Sequence, residues 1–274
     1  MRCTILLAIA GLGIGALRAE DPREIVRKSV ELDQADWLRM KDYTWIARET
    51  DRTLDSGGRV KSEKSEAWET VILFGEPHRR MLERDGKALP ADEQKKEQDK
   101  LDKALAKFEH ETPQQRERRA AQYEKERAKD RDFLREVPDL YDFSMVSDDK
   151  IDGHDVWVIS ATPRPGYQPK RGDAKPLLKT RAKLWIDKQE YQWVRLEAET
   201  TATISFGLFL VRLDPGAKLV FEQTRVNDQV WLPKREFVSG SGRLGLVKKL
   251  AGDEEVTWNN YRKFQVDSKI VSLQ

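Results

Sequence analysis

Residues 183–199 read KLWIDKQEYQWVRLEAE, and the fold turns on how this stretch is parsed. Leu184 and Ile186 share one face of an extended run that begins at Thr180. Asp187-Lys188-Gln189-Glu190 is a polar turn, and the chain is extended again from Tyr191 to Thr203, with Val194 and Leu196 apolar. Two such runs across a tight turn pair as an antiparallel hairpin.

The pattern repeats outward in both directions. Toward the C-terminus, Ala217–Val226, Val230–Val238 and Val256–Phe264 alternate in character, with turns at Asp214-Pro215-Gly216 and Asn227-Asp228-Gln229. Toward the N-terminus, Phe143–Val146 and Val156–Ala161 flank a hairpin connection at Ile151-Asp152-Gly153-His154. Further back, Tyr43, Trp45 and Ala47 share a face, Arg59–Phe74 returns across Asp55-Ser56-Gly57-Gly58, and His78–Arg84 is a third short strand closed by Asp85-Gly86. Roughly nine to eleven strands result, without alternating βαβ units, so the sheet is expected to be antiparallel and the class α+β, β-rich.

Two segments break this period. Asp21, Pro22 and Glu24 open a helix whose Ile25, Val26, Val30 and Trp37 recur at helical spacing to Met40. Ala91–Glu136 carries 13 acidic and 13 basic residues, no glycine and the single proline Pro113. It reads as two charged helices broken near Thr112, which caps the second, with Glu117 near the reciprocating position. A solvated insertion laced with i,i+4 ion pairs is favoured over a lid or docking arm.

Met1-Arg2, the apolar run Ile5–Leu17 and the small residue Ala19 form an export-signal pattern, giving a mature start at Glu20. The run is shorter than the ~20 residues that span a bilayer, and no later segment is long enough to be transmembrane. Cys3, the only cysteine, precedes the run, so lipidation is not expected. The net charge of +2 vanishes when Arg2 and Arg18 leave with the signal. Mixed signs without a basic excess argue against nucleic acid. The expected organisation is a signal over residues 1–19 and one domain over 20–274, with 91–136 as a helical-hairpin insertion.

Candidate chemistry is sparse. His78, His110 and His154 lack metal-ligand spacing, and His154 between Asp152 and Asp155 reads as part of a hairpin connection. Neither a Gly-x-Ser-x-Gly elbow nor a phosphate loop occurs, and Ser239-Gly240-Ser241-Gly242 reads as a turn. No catalytic residue, metal or cofactor is expected, so the chain reads as a non-enzyme. The informative stretch is apolar: in Thr203–Leu213, Ile204, Phe206, Leu208 and Leu210 face one way and Phe209, Val211 and Leu213 the other. Such a strand is buried on both faces or borders an exposed greasy surface.

The opening helix running into Tyr43-Thr44-Trp45, Ile151-Asp152-Gly153 before a strand ending at Pro163, and Leu184-Trp185-Ile186-Asp187 resemble the outer-membrane lipoprotein-sorting superfamily, the LolA-, LolB- and RseB-like periplasmic proteins. The resemblance covers most of the chain after residue 19. It implies a strongly curved, unclosed antiparallel half-barrel, a helix-covered apolar hollow, and a periplasmic or secreted carrier or sensor of lipids or lipoprotein acyl chains. The implied wall is Trp45, Trp68, Leu184, Ile186, Val194, Leu196, Phe206 and Leu208. The charged insertion is not part of the family's minimal pattern. No acyl-release arginine is matched, Arg48 being the nearest by position. The alternative is an envelope scaffold that binds a protein partner through the sheet, including Phe209, Val211 and Leu213, and through the charged insertion.

Overall fold

The computed structural model describes residues 20–206, 211–244 and 248–263. The expected export signal, Leu208 and Phe209 lie outside them.

Helix α1 spans Pro22–Arg39, with the Asp21 side chain accepting from Arg23 N at 3.0 Å and Pro22 in the first turn. The strands are β1 Tyr43–Leu54, β2 Val60–Leu73, β3 Glu76–Arg84, β4 Lys87–Ala88, β5 Tyr141–Ile151, β6 His154–Pro163 and β7 Thr180–Asp187. They continue as β8 Trp193–Thr200, β9 Ile204–Phe206, β10 Val211–Leu213, β11 Lys218–Val226, β12 Val230–Leu244 and β13 Lys248–Lys263. Between β4 and β5 lie α2 Ala91–Glu109, α3 Pro113–Asp130, a 3₁₀ turn Asp132–Glu136 and α4 Val137–Leu140.

One sheet runs β4-β3-β2-β1-β13-β12-β11-β8-β7-β6-β5, with β9 and β10 attached at β12. Every pair is antiparallel, and β1 closes on β13 rather than β4 on β5, so the half-barrel stays open. The tight turns have the required chemistry. Asp152-Gly153 and Asp85-Gly86 both hold positive φ between directly paired strands, the preference of two-residue hairpins. Phe74 adopts φ 50° in the β2–β3 turn, a strained choice for an aromatic residue, and its ring packs 5.5 Å from that of Phe108.

The main core lies between α1 and the β5–β8 half of the sheet. Ile25, Val26 and Val30 pack with Leu140, Ile159, Leu184, Ile186 and Trp193. A second cluster joins Met40 and Tyr43 to Val226, Val230 and Leu232, with Trp37, Trp45 and Tyr261 against it.

Three sequence expectations are corrected. Thr203–Leu213 is not one strand: β9 and β10 pair with each other, Phe206 opposite Val211. A short run of apolar alternation reads equally well as one strand or as two folded back. Ser239–Gly242 is strand interior, not a turn, and Gly242 is needed there because a Cβ would come 2.2 Å from the Arg212 carbonyl oxygen. Residue Gln115, not Glu117, completes the capping box with Thr112.

The charged insertion also does more than sit in solvent. Helix α2 lies along the part of the β3 edge that the two-residue β4 leaves unpaired, where the Glu97 carboxylate accepts the Met81 N–H at 3.2 Å, and Arg84 at the end of β3 pairs with Glu93 at 2.9 Å. Covering an edge this way blocks edge-to-edge pairing. Phe108 is buried, and Arg127 on α3 donates to the Trp37 carbonyl of α1. Leu134 belongs to the main core, and the Glu136 carboxylate accepts from Lys170 N and Arg171 N at 2.9 and 2.8 Å.

Candidate functional site: the inner face of the half-barrel

Cross-strand register defines the face on which α1 rests. One row runs Ile159, Leu184, Leu196, Phe221, Glu236, Val256, Glu49, Glu66, each residue directly opposite the next. The next row runs Ala161, Ala182, Ala198, Leu219, Val238, Glu254, Asp51, Lys64. Paired residues in a sheet share a face, so along these two rows the inner face is apolar from β6 to β11, and from β12 to β2 it carries five carboxylates, Glu236, Glu254, Glu49, Asp51 and Glu66, among Val238, Val256 and Lys64.

The apolar half is occupied. Ile186 is fully buried and Leu184 nearly so under α1, and Leu196 packs at their margin. The helix does not dock through apolar residues alone. Ser29, Asp33 and Asp36 on α1 are also buried against the sheet. Asp33 accepts from Gln223 Nε2 at 3.0 Å and pairs with Arg131 at 2.9 Å. The Asp36 Oδ2 atom accepts from Gln192 Nε2 at 3.0 Å and Trp231 N at 2.9 Å. Burial pushes both carboxyls above the ordinary aspartate range, against the pull of Arg131 and Gln223 on Asp33 and of the Trp231 amide and Arg39 on Asp36.

The acidic half collects like charges. One carboxylate oxygen from each of Glu49, Asp51 and Glu254 falls within 4.8 Å of the others. Burial raises Glu236, partly offset by Arg131, and burial together with Asp51, Glu49 and Glu236 raises Glu254. Clustered surface acids of this kind are common without an ion.

The eight expected wall residues are scattered by this geometry. Leu184, Ile186 and Leu196 fall together on the inner face. Trp68, opposite Ala47 and two residues along from the Glu49–Glu66 pair, lies farther along the same face with Arg79 over its ring at 4.6 Å, and Trp45 packs in the second cluster with Trp37 of α1 and Tyr261. Val194 departs from the expectation: a register shift between Trp185 and Ile186 turns it into a separate cluster with Val156 and Trp231. Phe206 pairs through its backbone with Val211, and Leu208 lies outside the described residues. Arg48 pairs with Glu83 at 2.5 Å. Sequence reading missed the polar face of α1, although the spacing Ser29, Asp33, Asp36 places all three on one helical stripe.

His154 gains a partner that its hairpin position did not reveal. Its Nδ1 lies 3.0 Å from Asp187 Oδ2, and its ring meets Trp231 edge-on at 4.8 Å. Asp187 is buried and also accepts from Gln189 N and Glu190 N at 2.8 and 2.6 Å, so the pair pins two turns together.

Two clefts stand out among the described residues. A cleft of about 390 Å³ is lined by Ala161, Ala182 and Ala198 and by charged neighbours such as Arg181 and Glu199, themselves paired at 2.9 Å. A smaller one of about 210 Å³ lies between α1 and the β7–β8 and β11–β12 turns. No helix among the described residues is long and apolar enough to cross a membrane.

No family model matches the sequence, and no curated protein does. Solved structures with a similar chain path do exist. An outer membrane lipoprotein-sorting protein domain from Vibrio parahaemolyticus aligns at 13% identity over 89% of this chain and 95% of that one, with a TM-score of 0.35. A LolA superfamily protein from Nitrosomonas europaea aligns at 10% identity over 90% and 94%, with a TM-score of 0.32. A MucA/MucB complex structure from Pseudomonas aeruginosa aligns at 10% identity over 90% of this chain and all of that one (100%), with a TM-score of 0.25.

Proposed function

We propose that this chain is an exported, non-catalytic carrier or sensor that binds a lipid or lipoprotein acyl chain on the apolar half of its inner face. Helix α1 occupies that half when no ligand is bound. The observation that carries the reading is the mixed character of the contact. Leu184, Ile186 and Trp193 form an apolar floor, yet the helix over it buries Ser29, Asp33 and Asp36. Ile25, Val26 and Val30 cover that floor. Farther along the same helix Asp33 and Asp36 are buried against Gln223, Arg131, Gln192 and the Trp231 amide. A helix meant only for core would continue the apolar stripe there, since burying a carboxylate opposes its charged form. On release, both aspartates regain water, while an acyl chain takes over the apolar floor at roughly 0.8 kcal/mol per CH₂ buried.

The test is titration of delipidated, folded protein with a fatty acid and a lysophospholipid, read by tryptophan fluorescence. Trp193 on the floor reports directly. Saturable binding near micromolar concentration is expected. Leu196→Glu should weaken it, whereas Val220→Glu, whose neighbours in sequence Leu219 and Phe221 are the inner-face residues, should not. Saturable binding of neither lipid sinks the carrier reading.

A second reading, an envelope scaffold for a protein partner, is favoured by one feature. The β3 edge is covered by α2, but β5 ends the sheet with Met145 and Val146 exposed. Exposed edges accept an added strand. Ser144→Pro should then abolish partner capture while leaving lipid titration intact.

A further inference from the structure

The charged arm is fastened to the rest of the molecule at its base, at its far end and at the connection between its helices. At the base, Glu97 and Glu93 of α2 hold the Met81 amide and Arg84 of β3. At the far end, Arg127 of α3 donates to the Trp37 carbonyl, and Glu124 pairs with Lys41 at 3.2 Å. The connection is held through Phe108, the buried aromatic residue next to the end of α2. Its ring meets that of His78 on β3 edge to face at 5.6 Å and that of Phe74 at 5.5 Å, and the Arg119 guanidinium of α3 lies 4.2 Å over it. Arg119 in turn pairs with Glu76 at 2.7 Å and with Glu111 at 3.1 Å, and Arg116 lies 5.1 Å from the Phe74 ring.

His78 is the member of this contact whose residue type gains charge near neutral pH. Its Nε2 atom is buried with no hydrogen-bond partner. A neutral imidazole can leave that nitrogen unprotonated, as an unused lone pair. An imidazolium carries a proton on both ring nitrogens, so Nε2 becomes a donor without an acceptor and the ring brings a charge into a buried contact. Burial holds His78 below the ordinary histidine range, with Glu76 opposing and Arg119 adding to it. The Glu76 carboxylate is already committed to Arg119, as is that of Glu111. Arg80, next along the same face of β3, pairs with Glu69 and donates to Gln98 of α2. His110, in the connection itself, is exposed.

We infer that His78 is an acid-sensitive latch for the arm. The neutral imidazole keeps the α2–α3 connection seated on β3. Its protonation releases that connection, while the base of the arm stays on Met81 and the far end on Trp37. The seated form takes the proton less readily than the released form. Seating is therefore fully favoured above the ordinary imidazole pKa of about 6.5 and weakens as pH falls below it. The latch does not depend on what the inner face binds.

The experiment is amide hydrogen exchange of the full folded chain at about pH 7.5 and about pH 5.5, either side of that value, with rates corrected for the intrinsic effect of pH. Protection over residues 104–116 should fall about fivefold or more in acid, while β6 and β7 keep theirs. His78→Phe and His78→Leu each remove the titration and keep an apolar side chain against Phe108. Protection over 104–116 in either variant should not change with pH. His110→Gln should lose protection as the parent does. Protection over 104–116 that is independent of pH in the parent overturns the latch. So does an equal loss in β6 and β7, which would mean that acid loosens the whole sheet. The parent's loss persisting in a folded His78 variant, or vanishing in His110→Gln, overturns it as well.

Discussion

The two halves of the inner face are built from the same strands in the same register, yet they solve opposite problems. From β6 to β11 the rows carry Ile159, Leu184, Leu196 and Phe221, and α1 packs over the first three. From β12 to β2 the same rows carry Glu236, Glu49 and Glu66, and beside them Glu254 and Asp51. A half-barrel cannot fill its own hollow from one side. This one packs α1 over the apolar stretch and lines the other with carboxylates. The difference teaches where stability resides.

The largest effect should separate the two halves outright. Leu184→Ala removes buried methyl groups beneath α1 and should lower stability by about 2–5 kcal/mol. Val256→Ala, on the same face but half-buried among acids, should cost less than about 1.5 kcal/mol. Denaturant titration of both variants checks this. Equal losses would mean that the acidic half is as much core as the other.

Next in size is the polar seam of α1. Asp36→Ala strands the Trp231 amide and the Gln192 side chain in a buried setting, and should cost about 1–3 kcal/mol. If α1 is the displaceable element, acyl binding by this variant should tighten rather than weaken, because the closed form loses contacts that the ligand-bound form never had. Lipid titration of the variant beside the parent decides it. Weaker binding would make the seam part of the site.

How far the sequence allowed these halves to be foreseen differs with the physics involved. The hairpins were legible because turn chemistry is local: Asp152-Gly153 takes positive φ wherever it is placed. The opening helix was legible for the same reason, through Asp21 and Pro22. The two rows were not. They depend on register across seven pairings, and one shift at Trp185/Ile186 was enough to send Val194 to another cluster. The insertion misled because its charges cancel along the sequence, whereas in space Glu97 is aimed at a strand edge and Leu134 at the core. Polar residues on α1 were visible at helical spacing, but only the fold shows that Gln192, Gln223 and Trp231 wait opposite them.

The smallest effect concerns the acidic half, and its sign is fixed by linkage. Glu236 and Glu254 titrate above the ordinary glutamate range, both chiefly through burial, with the neighbouring acids adding to the shift at Glu254. A carboxyl raised on folding favours the folded state fully below its unfolded pKa, and that contribution is lost as pH rises through the folded value. At neutral pH the two ionised groups therefore work against the fold, and acidification relieves them. Glu236→Gln combined with Glu254→Gln removes the titration while keeping the shape. The variant should exceed the parent at pH 7 by about 0.5 kcal/mol, since Glu254 is exposed and Glu236 only half-buried, so solvent screens both charges. That advantage should shrink on acidification and disappear near pH 4, around the unfolded glutamate pKa. Because Asp33, Asp36 and the paired surface acids titrate in both proteins, the measurement is the difference between the two melting curves at each pH. A difference that stays constant from pH 7 to 4 would show that the inner-face acids are ordinary solvated carboxylates, and that the two halves differ in packing alone.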